Sequence, residues 1–399
     1  MQLLKKAETV SFLADRLCEH IAAMRGETAL IRNLTKRCEA VLASEPMTVT
    51  KRTLHAPTGD PHDYASMGPY WWPDPSKPDG LPYIRRDGEF NPVSRDTISF
   101  DHFFDEVYWL TLGALYAENG RDRVYAERAV RDIEVFFLDG ETKVHPHLRY
   151  AQGIPGICDG RGIGLIDTRN SITLFDAVGI LDALGVLPEE DLTGLKAWFD
   201  AYLNWMLTDE NGADEDSQHN NHGTWYDVQV AATAIFLGRN KMAKDRLLSA
   251  YDRRLRKHIQ PDGSQPFELA RTDAPGYSSM NLYASTMLAK MAKHTKSKVD
   301  YFGNIPEGYR APLPLLALEY LLPYAADMSD FPYQNIHGGT PAASVCRLAA
   351  LMLPEYPDAR LHDRSAVKDP SIPEEGITLA DVVARFADDE MFWRLLPTE

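Results

Sequence analysis

The sequence predicts an all-α protein built as an array of antiparallel helix hairpins. Apolar residues recur at spacings of three and four along most of the chain, strict alternation of apolar and polar residues is scarce, and the connections between periodic stretches are mostly short and polar. Closing these hairpins into an (α/α) toroid or incomplete barrel would use every helix and leave a central cleft. No linker-like stretch divides the chain, so residues 1–399 are expected to form a single domain.

In chain order, Val10, Leu13, Leu17, Ile21 and Met24 mark one apolar face over 8–25, and Phe104, Val107, Tyr108, Leu112 and Leu115 mark another over 101–119. The same spacing predicts helices over 122–137, 171–185, 190–208, 224–237, 241–257, 279–294, 311–325, 341–353 and 376–386. Thr224 reads as the N-cap of the 224–237 helix, with Asp227 three residues on in a variant capping box. Pro275-Gly276 fits the centre of a type II turn, after which Ser278 or Ser279 would cap the 279–294 helix. Short strand pairs are expected only near 83–90 and 145–150. Two long irregular stretches, 51–98 and 140–170, hold many aromatic and aliphatic residues among their prolines and glycines. Such stretches are usually functional or disordered. Their apolar content favours ordered loops lying over the cleft.

Bulk properties exclude some functions. Hydrophobic residues make up 44% and charged residues 25%, ordinary values for a soluble globular chain. The formal net charge of −16 argues against nonspecific binding to nucleic acid or anionic membrane, yet a local basic cleft can still take an acidic polymer. Cys18, Cys38, Cys158 and Cys346 have no metal-ligand spacing, and one disulfide, Cys18 to Cys38, is conceivable. No window approaches the roughly 20 apolar residues of a membrane span. The N-terminus MQLLKKAETVSF lacks a signal-like apolar core. The expectation is a periplasmic or secreted protein whose signal lies outside this numbering, or else a cytoplasmic one.

The densest chemistry lies in Asn220-Asn221-His222-Gly223-Thr224-Trp225-Tyr226. At a helix start, Asn221 and His222 would stand beside unpaired backbone N–H groups, a place suited to an anion. Arg271 and Tyr277 are six residues apart, and a turn between them would let them converge. The first irregular stretch supplies Tyr64, Tyr70, Trp71, Trp72, Tyr83, Arg85 and Arg86, and the second supplies His145, His147, Tyr150, Gln152, Arg161 and Arg169. Aromatic faces beside guanidinium groups suit a sugar ring bearing a carboxylate. His145 and His147 offer two ligands of a metal site, but no third stands out in the sequence, so neither a metal nor an organic cofactor is expected. Glu215, just ahead of the Asn-His pair, is placed to touch a substrate hydroxyl or to sit in a solvated acidic turn with Asp214 and Asp216.

Asn221, His222, Arg271 and Tyr277 match β-elimination on a uronic acid polymer. Asn221 and Arg271 would neutralise the C6 carboxylate so that C5 can lose its proton. Tyr277 or His222 would take that proton, and O4 would receive one as it leaves. Where H5 and O4 share a face, as in mannuronate and glucuronate, one tyrosine can do both.

The segments HDYASMGPYWWPDP, LPYIRRDGEFNP, GRGIGLIDTR and NNHGTWYDVQ, with the Arg271–Tyr277 element, resemble the alginate lyase-type polysaccharide lyases of polysaccharide lyase families 5 and 38. The resemblance covers about residues 55–285. It implies an (α/α) toroid and β-elimination of a β-1,4-linked mannuronate- or glucuronate-containing polymer, with an acidic polysaccharide as the partner. It carries over Asn221 and Arg271 as carboxylate-binding, His222 as base or tyrosine activator, and Tyr277 as acid and base. Tyr64, Tyr70, Trp71, Arg86, His147, Tyr150, Gln152, Arg161, Glu215 and Trp225 are the expected substrate contacts. Gly223-Thr224-Trp225 replaces the usual Ser-Tyr-Trp of family 5 and is closer to family 38, which sets glucuronan beside mannuronan. Two other readings stand. A glycoside hydrolase on the same toroid would need a carboxylate pair, for which Asp159 and Asp167 are the best candidates. A non-catalytic uronan-binding protein would keep the aromatic and arginine contacts alone.

Overall fold

The computed structural model describes residues 3–12, 14–95, 99–117, 119–362, 373 and 375–397, so Leu13 and Glu118 of the expected helices lie outside the described residues. The all-α class is borne out, with only two-stranded pairings among the described strands. The chain divides into two compact units, one of Met1–Ser217, Ala232–Arg239 and Leu395–Pro397, the other of Gln218–Ala231, Asn240–Arg394 and Thr398–Glu399.

In the first unit, helix Ser99–Tyr116 packs against Thr28–Leu42, Asp122–Ile133 and Ser171–Ala183. Its apolar face carries Phe104 against Phe100 and Phe103, and the last two mesh with Phe136 and Phe137, Phe103 and Phe136 stacking at 4.2 Å. Helix Asp122–Ile133 runs on into one wider π-helical turn, Glu134–Leu138, in which Phe136 and Phe137 are both buried. Helices Glu189–Thr208 and Glu210–Ser217 follow. The acidic run Asp214-Glu215-Asp216 is therefore helical rather than a turn, and Glu215 is buried.

The two irregular stretches are ordered and stitched together inside this unit. Strand Ala65–Met67 pairs in parallel with Tyr150–Gly153, and Trp71–Trp72 pairs antiparallel with Ile84–Arg85. Backbone bonds from Gly68 to Gly153 (2.9 Å), Tyr83 to Pro155 (3.0 Å) and His145 to His62 (3.0 Å) add to the pairing. The strand expected near 83–90 is found at Ile84–Arg85, and the one expected near 145–150 begins only at Tyr150 and runs to Gly153, each with a partner in residues 65–72.

In the second unit, helix Ala274–His294 packs on Asn240–Ala250, Leu313–Ala326 and Ala342–Met352, and the last of these packs on Leu379–Phe386. Thr378 and Asp381 form a reciprocal capping box at the start of Leu379–Phe386.

Several helix starts differ from the sequence reading. The expected 8–25 helix begins at Ala14 and the expected 376–386 helix at Leu379. The expected 224–237 helix begins at Asn221, and the expected 279–294 helix begins at Ala274. Pro275 sits in the first turn of the latter, where its missing N–H costs nothing, so Pro275-Gly276 opens a helix instead of forming a type II turn. Ser278 and Ser279 lie buried within the helix and do not cap it. The cysteines are all free, so Cys18 and Cys38 form no disulfide. The Cys38 thiol is pushed up to about 12 by burial and donates to the Trp109 carbonyl at 3.2 Å. Among the described residues no helix is long and apolar enough to cross a membrane.

Candidate active site

The second unit gathers the four residues singled out by their chemistry around a fifth. Helix Asn221–Phe236 is capped by Asn220, whose Oδ1 accepts the His222 N–H at 3.2 Å. Thr224, the expected cap, is instead buried inside the helix, its hydroxyl 3.3 Å from His258 Nδ1. The orphan N–H of Asn221 goes to Glu268 Oε1 at 2.6 Å, and Asn221 Nδ2 donates to Glu268 Oε2 at 2.7 Å. The positive end of this helix, expected to receive an external anion, is thus met by the protein's own carboxylate. Asn221 is fully buried, and its Oδ1 has no hydrogen-bond partner among the described residues.

Glu268 lies in the short helix Pro266–Leu269 and is 1% exposed. Burial pushes its carboxyl up to about 7, against the pull of the Asn221 donors and the positive charge of Arg271. Arg271 follows directly, its N–H bonded to the Glu268 carbonyl at 3.0 Å. Its guanidinium lies 3.8 Å from the centroid of the Tyr277 ring. Tyr277 stands in the first turn of helix Ala274–His294, its N–H bonded to the Asp273 carbonyl at 3.0 Å. Arg271 and Tyr277 do converge, because the chain bends at 271–273 before the helix begins.

The cluster rests on a buried ionic floor. Asp227, fully buried one helical turn beyond Gly223, pairs with Arg246, Arg253 and Arg254. Arg254 also donates to the Gln218 carbonyl at 2.7 Å. A Cβ on Gly223 would run into that same carbonyl and guanidinium, so only glycine lets the helix start sit here. Trp225 is 1% exposed, with its ring edge-on to Tyr283 at 5.5 Å. It is a core residue and presents no stacking face.

In the first unit, the expected sugar contacts fall into two groups. Tyr64, Gln152 and Glu215 are 0%, 5% and 0% exposed. Tyr64 Oη, Ser66 Oγ and Gln152 Nε2 all donate to Asp167, at 2.9, 2.6 and 2.9 Å. Tyr64, Ser66 and Gln152 thus spend polar atoms on an inner hub around Asp167, and the expected sugar contacts at Tyr64 and Gln152 are corrected accordingly. Glu215 is buried in helix Glu210–Ser217, so its expected surface contact is corrected as well. The hub shapes what lies above it. Gln152 takes a left-handed φ of 51°, which aims its carbonyl and Oε1 at Arg161, at 3.0 and 3.2 Å. Arg161 in turn lies 5.8 Å from the Trp71 ring centroid, and Arg86 lies 5.3 Å from that of Trp72. Tyr70, Trp71, Arg86, His147, Tyr150 and Arg161 are half-buried and carry the aromatic and cationic faces of this unit.

Sequence reasoning missed Glu268, Asn220 and Asp63. Glu268 stands three residues before Arg271 and its spacing carries no signal of its own. Asn220 opens the motif, but the cap was read at Thr224. Asp63 lies between His145 and His147, 3.0 Å from one and 3.1 Å from the other.

The alginate lyase family profile matches residues 48–331. No curated protein matches the chain. Among solved structures, an alginate lyase from Bacteroides ovatus is 32% identical, with a TM-score of 0.81 over 98% of this chain and 99% of that one. Alginate lyase A1-III from Sphingomonas species A1, and the same enzyme complexed with tetrasaccharide, are 12% identical, with TM-scores of 0.49 and 0.48 over 84% of this chain and 89% of theirs. The last two carry no weight at that level of likeness. The profile spans both the Asn221–Tyr277 cluster and the aromatic stretches, and the Bacteroides ovatus likeness extends over nearly the whole chain. The chain belongs to the alginate lyase family and is a polysaccharide lyase, a carbon–oxygen lyase acting on polysaccharides.

Proposed function

We propose that the protein cleaves a β-1,4-linked uronic acid polymer, mannuronan or glucuronan, by syn β-elimination, with residues 1–399 acting as one lyase domain. The observation that carries this reading is the Arg271 guanidinium 3.8 Å from the centroid of the Tyr277 ring, beside the Glu268–Asn221 pair. A cation on the ring stabilises the phenolate that must form for Tyr277 to accept a proton.

The steps follow from the chemistry. Arg271 and the second Nδ2–H of Asn221 neutralise the C6 carboxylate, so that charge spreads onto it as C5 loses its proton. Arg271 carries most of that charge, since Glu268 already occupies the helix end. Tyr277 phenolate takes H5, the electron pair forms the C4–C5 double bond, and the C4–O bond breaks. The same phenol then gives its proton to the departing O4. His222 orders the phenol or serves as an alternate base. Tyr70, Trp71, Arg86, Tyr150 and Arg161 bind the sugars and their carboxylates, with the His147 ring edge-on beside Tyr150 in support. Gly223-Thr224-Trp225 supports glucuronan beside mannuronan. Action in the periplasm or outside the cell fits a polymer of this kind.

The hydrolase reading is disfavoured by Asp167. Its carboxylate is 1% exposed, accepts three protein donors and is pushed up by burial, so it cannot flank a scissile bond with Asp159. The test is ultraviolet absorbance over time with polymannuronate, glucuronan and polyguluronate separately. A rise from the conjugated 4,5-unsaturated product on polymannuronate or glucuronan is expected. New reducing ends without that rise would overturn elimination, and no product of either kind would leave a binding protein.

A further inference from the structure

The parallel pairing of Ala65–Met67 with Tyr150–Gly153 lays two long irregular segments side by side in the first unit. Just ahead of the paired residues, one oxygen of Asp63 meets two imidazoles. Asp63 Oδ1 is 3.0 Å from His145 Nδ1 and 3.1 Å from His147 Nε2, and the three atoms lie within 4.8 Å of one another. The Asp63 side chain is buried, and its other oxygen accepts Thr58 Oγ1 at 2.6 Å, which fixes the carboxylate with Oδ1 toward the rings. The His145 backbone is tied to the His62 carbonyl at 3.0 Å, and its ring stacks on that of His62 at 5.4 Å. His62 Nδ1 is itself held 2.6 Å from the Lys143 carbonyl. Asp60 Oδ2 stands 3.9 Å from His145 Nδ1. His147 Nδ1 faces the Arg149 N–H at 3.5 Å, the outer limit of a hydrogen bond.

We propose that Asp63, His145 and His147 bind a divalent ion of the zinc class that staples the two irregular segments together. Ligands about 2.0–2.1 Å from a tetrahedral zinc lie roughly 3.3 Å apart, close to the spacing found between the carboxylate oxygen and the two ring nitrogens. Two imidazoles with one carboxylate suit zinc, and not calcium or magnesium, which take oxygen ligands. The Thr58 bond to the far carboxylate oxygen and the stacking of His62 on His145 are the outer supports such a site needs. Without the ion, each imidazole donates an N–H to Asp63 Oδ1. On binding, the ion takes the lone pair of that nitrogen, and the ring carries its proton on the other nitrogen, which for His147 gives up the long contact with the Arg149 N–H. No electron is transferred. Water or Asp60 completes the coordination. The segments joined this way carry Trp71, Tyr150 and Arg161, and no disulfide ties them, so an ion here would hold the aromatic surface in shape.

The experiment uses the full chain, stripped with a chelator, desalted and titrated with Zn²⁺ by calorimetry, with elemental analysis for stoichiometry and Mg²⁺ and Ca²⁺ as controls. About one Zn²⁺ per chain and a melting temperature raised by a few degrees are expected. Asp63→Asn and His145→Ala should abolish uptake while far-ultraviolet circular dichroism keeps its helical signal. His145→Gln, which keeps bulk and a hydrogen-bonding end but offers no imidazole, decides the matter if either of those fails to fold. No stoichiometric uptake by the parent chain, or uptake that survives His145→Gln, would overturn the proposal and leave Asp63 as a hydrogen-bonded bridge between two histidines.

Discussion

Glu268 accepts two bonds from Asn221, the backbone amide at 2.6 Å and the side-chain amide at 2.7 Å, although 47 residues separate them in the chain. The pair fixes the plane of the Asn221 amide and leaves its Oδ1 and second Nδ2–H for a ligand. Glu268 acts through Asn221 and touches no reacting atom in this reading, so it is a positioning residue. Glu268→Gln replaces one acceptor by a donor facing the Asn221 donors. An unmet buried bond costs about 1–3 kcal/mol, so kcat/KM should fall by roughly one to two orders of magnitude.

The protonation of Glu268 gives a second readout. Burial holds its carboxyl up to about 7, so the doubly accepting carboxylate prevails above that pH and is lost below it. Since kcat/KM reports the free enzyme, its acid limb should lie near pH 7 in the parent chain and vanish in Glu268→Gln. The stability term has the opposite sense. A raised carboxyl stabilises the fold below its unfolded value, and that contribution is lost as pH rises through about 7. A profile unchanged by Glu268→Gln would remove Glu268 from the mechanism.

Tyr277→Phe tests the proton shuttle. Phenylalanine keeps the ring beneath Arg271 and removes only the hydroxyl, so substrate affinity by calorimetry should be nearly unchanged. Turnover should drop by about a hundredfold or more, the usual contribution of a positioned acid or base. Retained turnover in Tyr277→Phe together with loss in His222→Ala would transfer the base role to His222.

The helices were legible because a period of three to four survives wherever one face is buried, and the starts were not, because the same residues serve two local structures. Pro275-Gly276 fits both a type II turn and the first turn of a helix. Thr224 with Asp227 fits a capping box, but Asp227 is consumed by three arginines and Asn220 takes the cap. The convergence of Arg271 on Tyr277 was legible from residue type and spacing. Glu268 was hidden, because a lone glutamate carries no mark of the asparagine it will meet across the fold. Tyr64 and Trp225 show the reverse failure: an aromatic residue in a functional motif reads as a stacking face whether it points outward or inward, and both are buried.

Gly223→Ala probes why the motif has glycine after the histidine. The added methyl would meet the Gln218 carbonyl and the Arg254 guanidinium, neither of which can retreat without breaking the bond between them. Forcing atoms into a close-packed site costs about 1–3 kcal/mol, so the melting temperature of a chain this long should fall by about 1–4 °C. A melt equal to that of the parent chain would show that the helix start shifts freely.

Asp227→Asn tests the floor beneath the cluster. It removes the one charge shared by Arg246, Arg253 and Arg254 at a fully buried position. Breaking a buried pair on one side costs about 3–5 kcal/mol because the remaining charge stays buried. Denaturant unfolding should show that loss, and the loss should shrink when Arg246→Met is added, since one of the stranded cations is then gone. An additive double variant would deny that the charges are coupled.

His258 sets the acid limit of stability. It is buried between Thr224 and Asn281, with its Nδ1 3.3 Å from each, and burial followed by the charge of Arg254 lowers it from 6.5 to about 4. Its folded value lies below its unfolded one, so the unfolded chain binds the proton first as pH falls. Stability should therefore decline from about pH 6.5 toward pH 4 and level off below, where both states carry the proton. His258→Gln keeps a polar group facing Thr224 and Asn281 but does not titrate, so unfolding free energies measured across that range should flatten relative to the parent chain. Equal slopes in the two proteins would assign the acid sensitivity to other groups and make His258 an ordinary core residue.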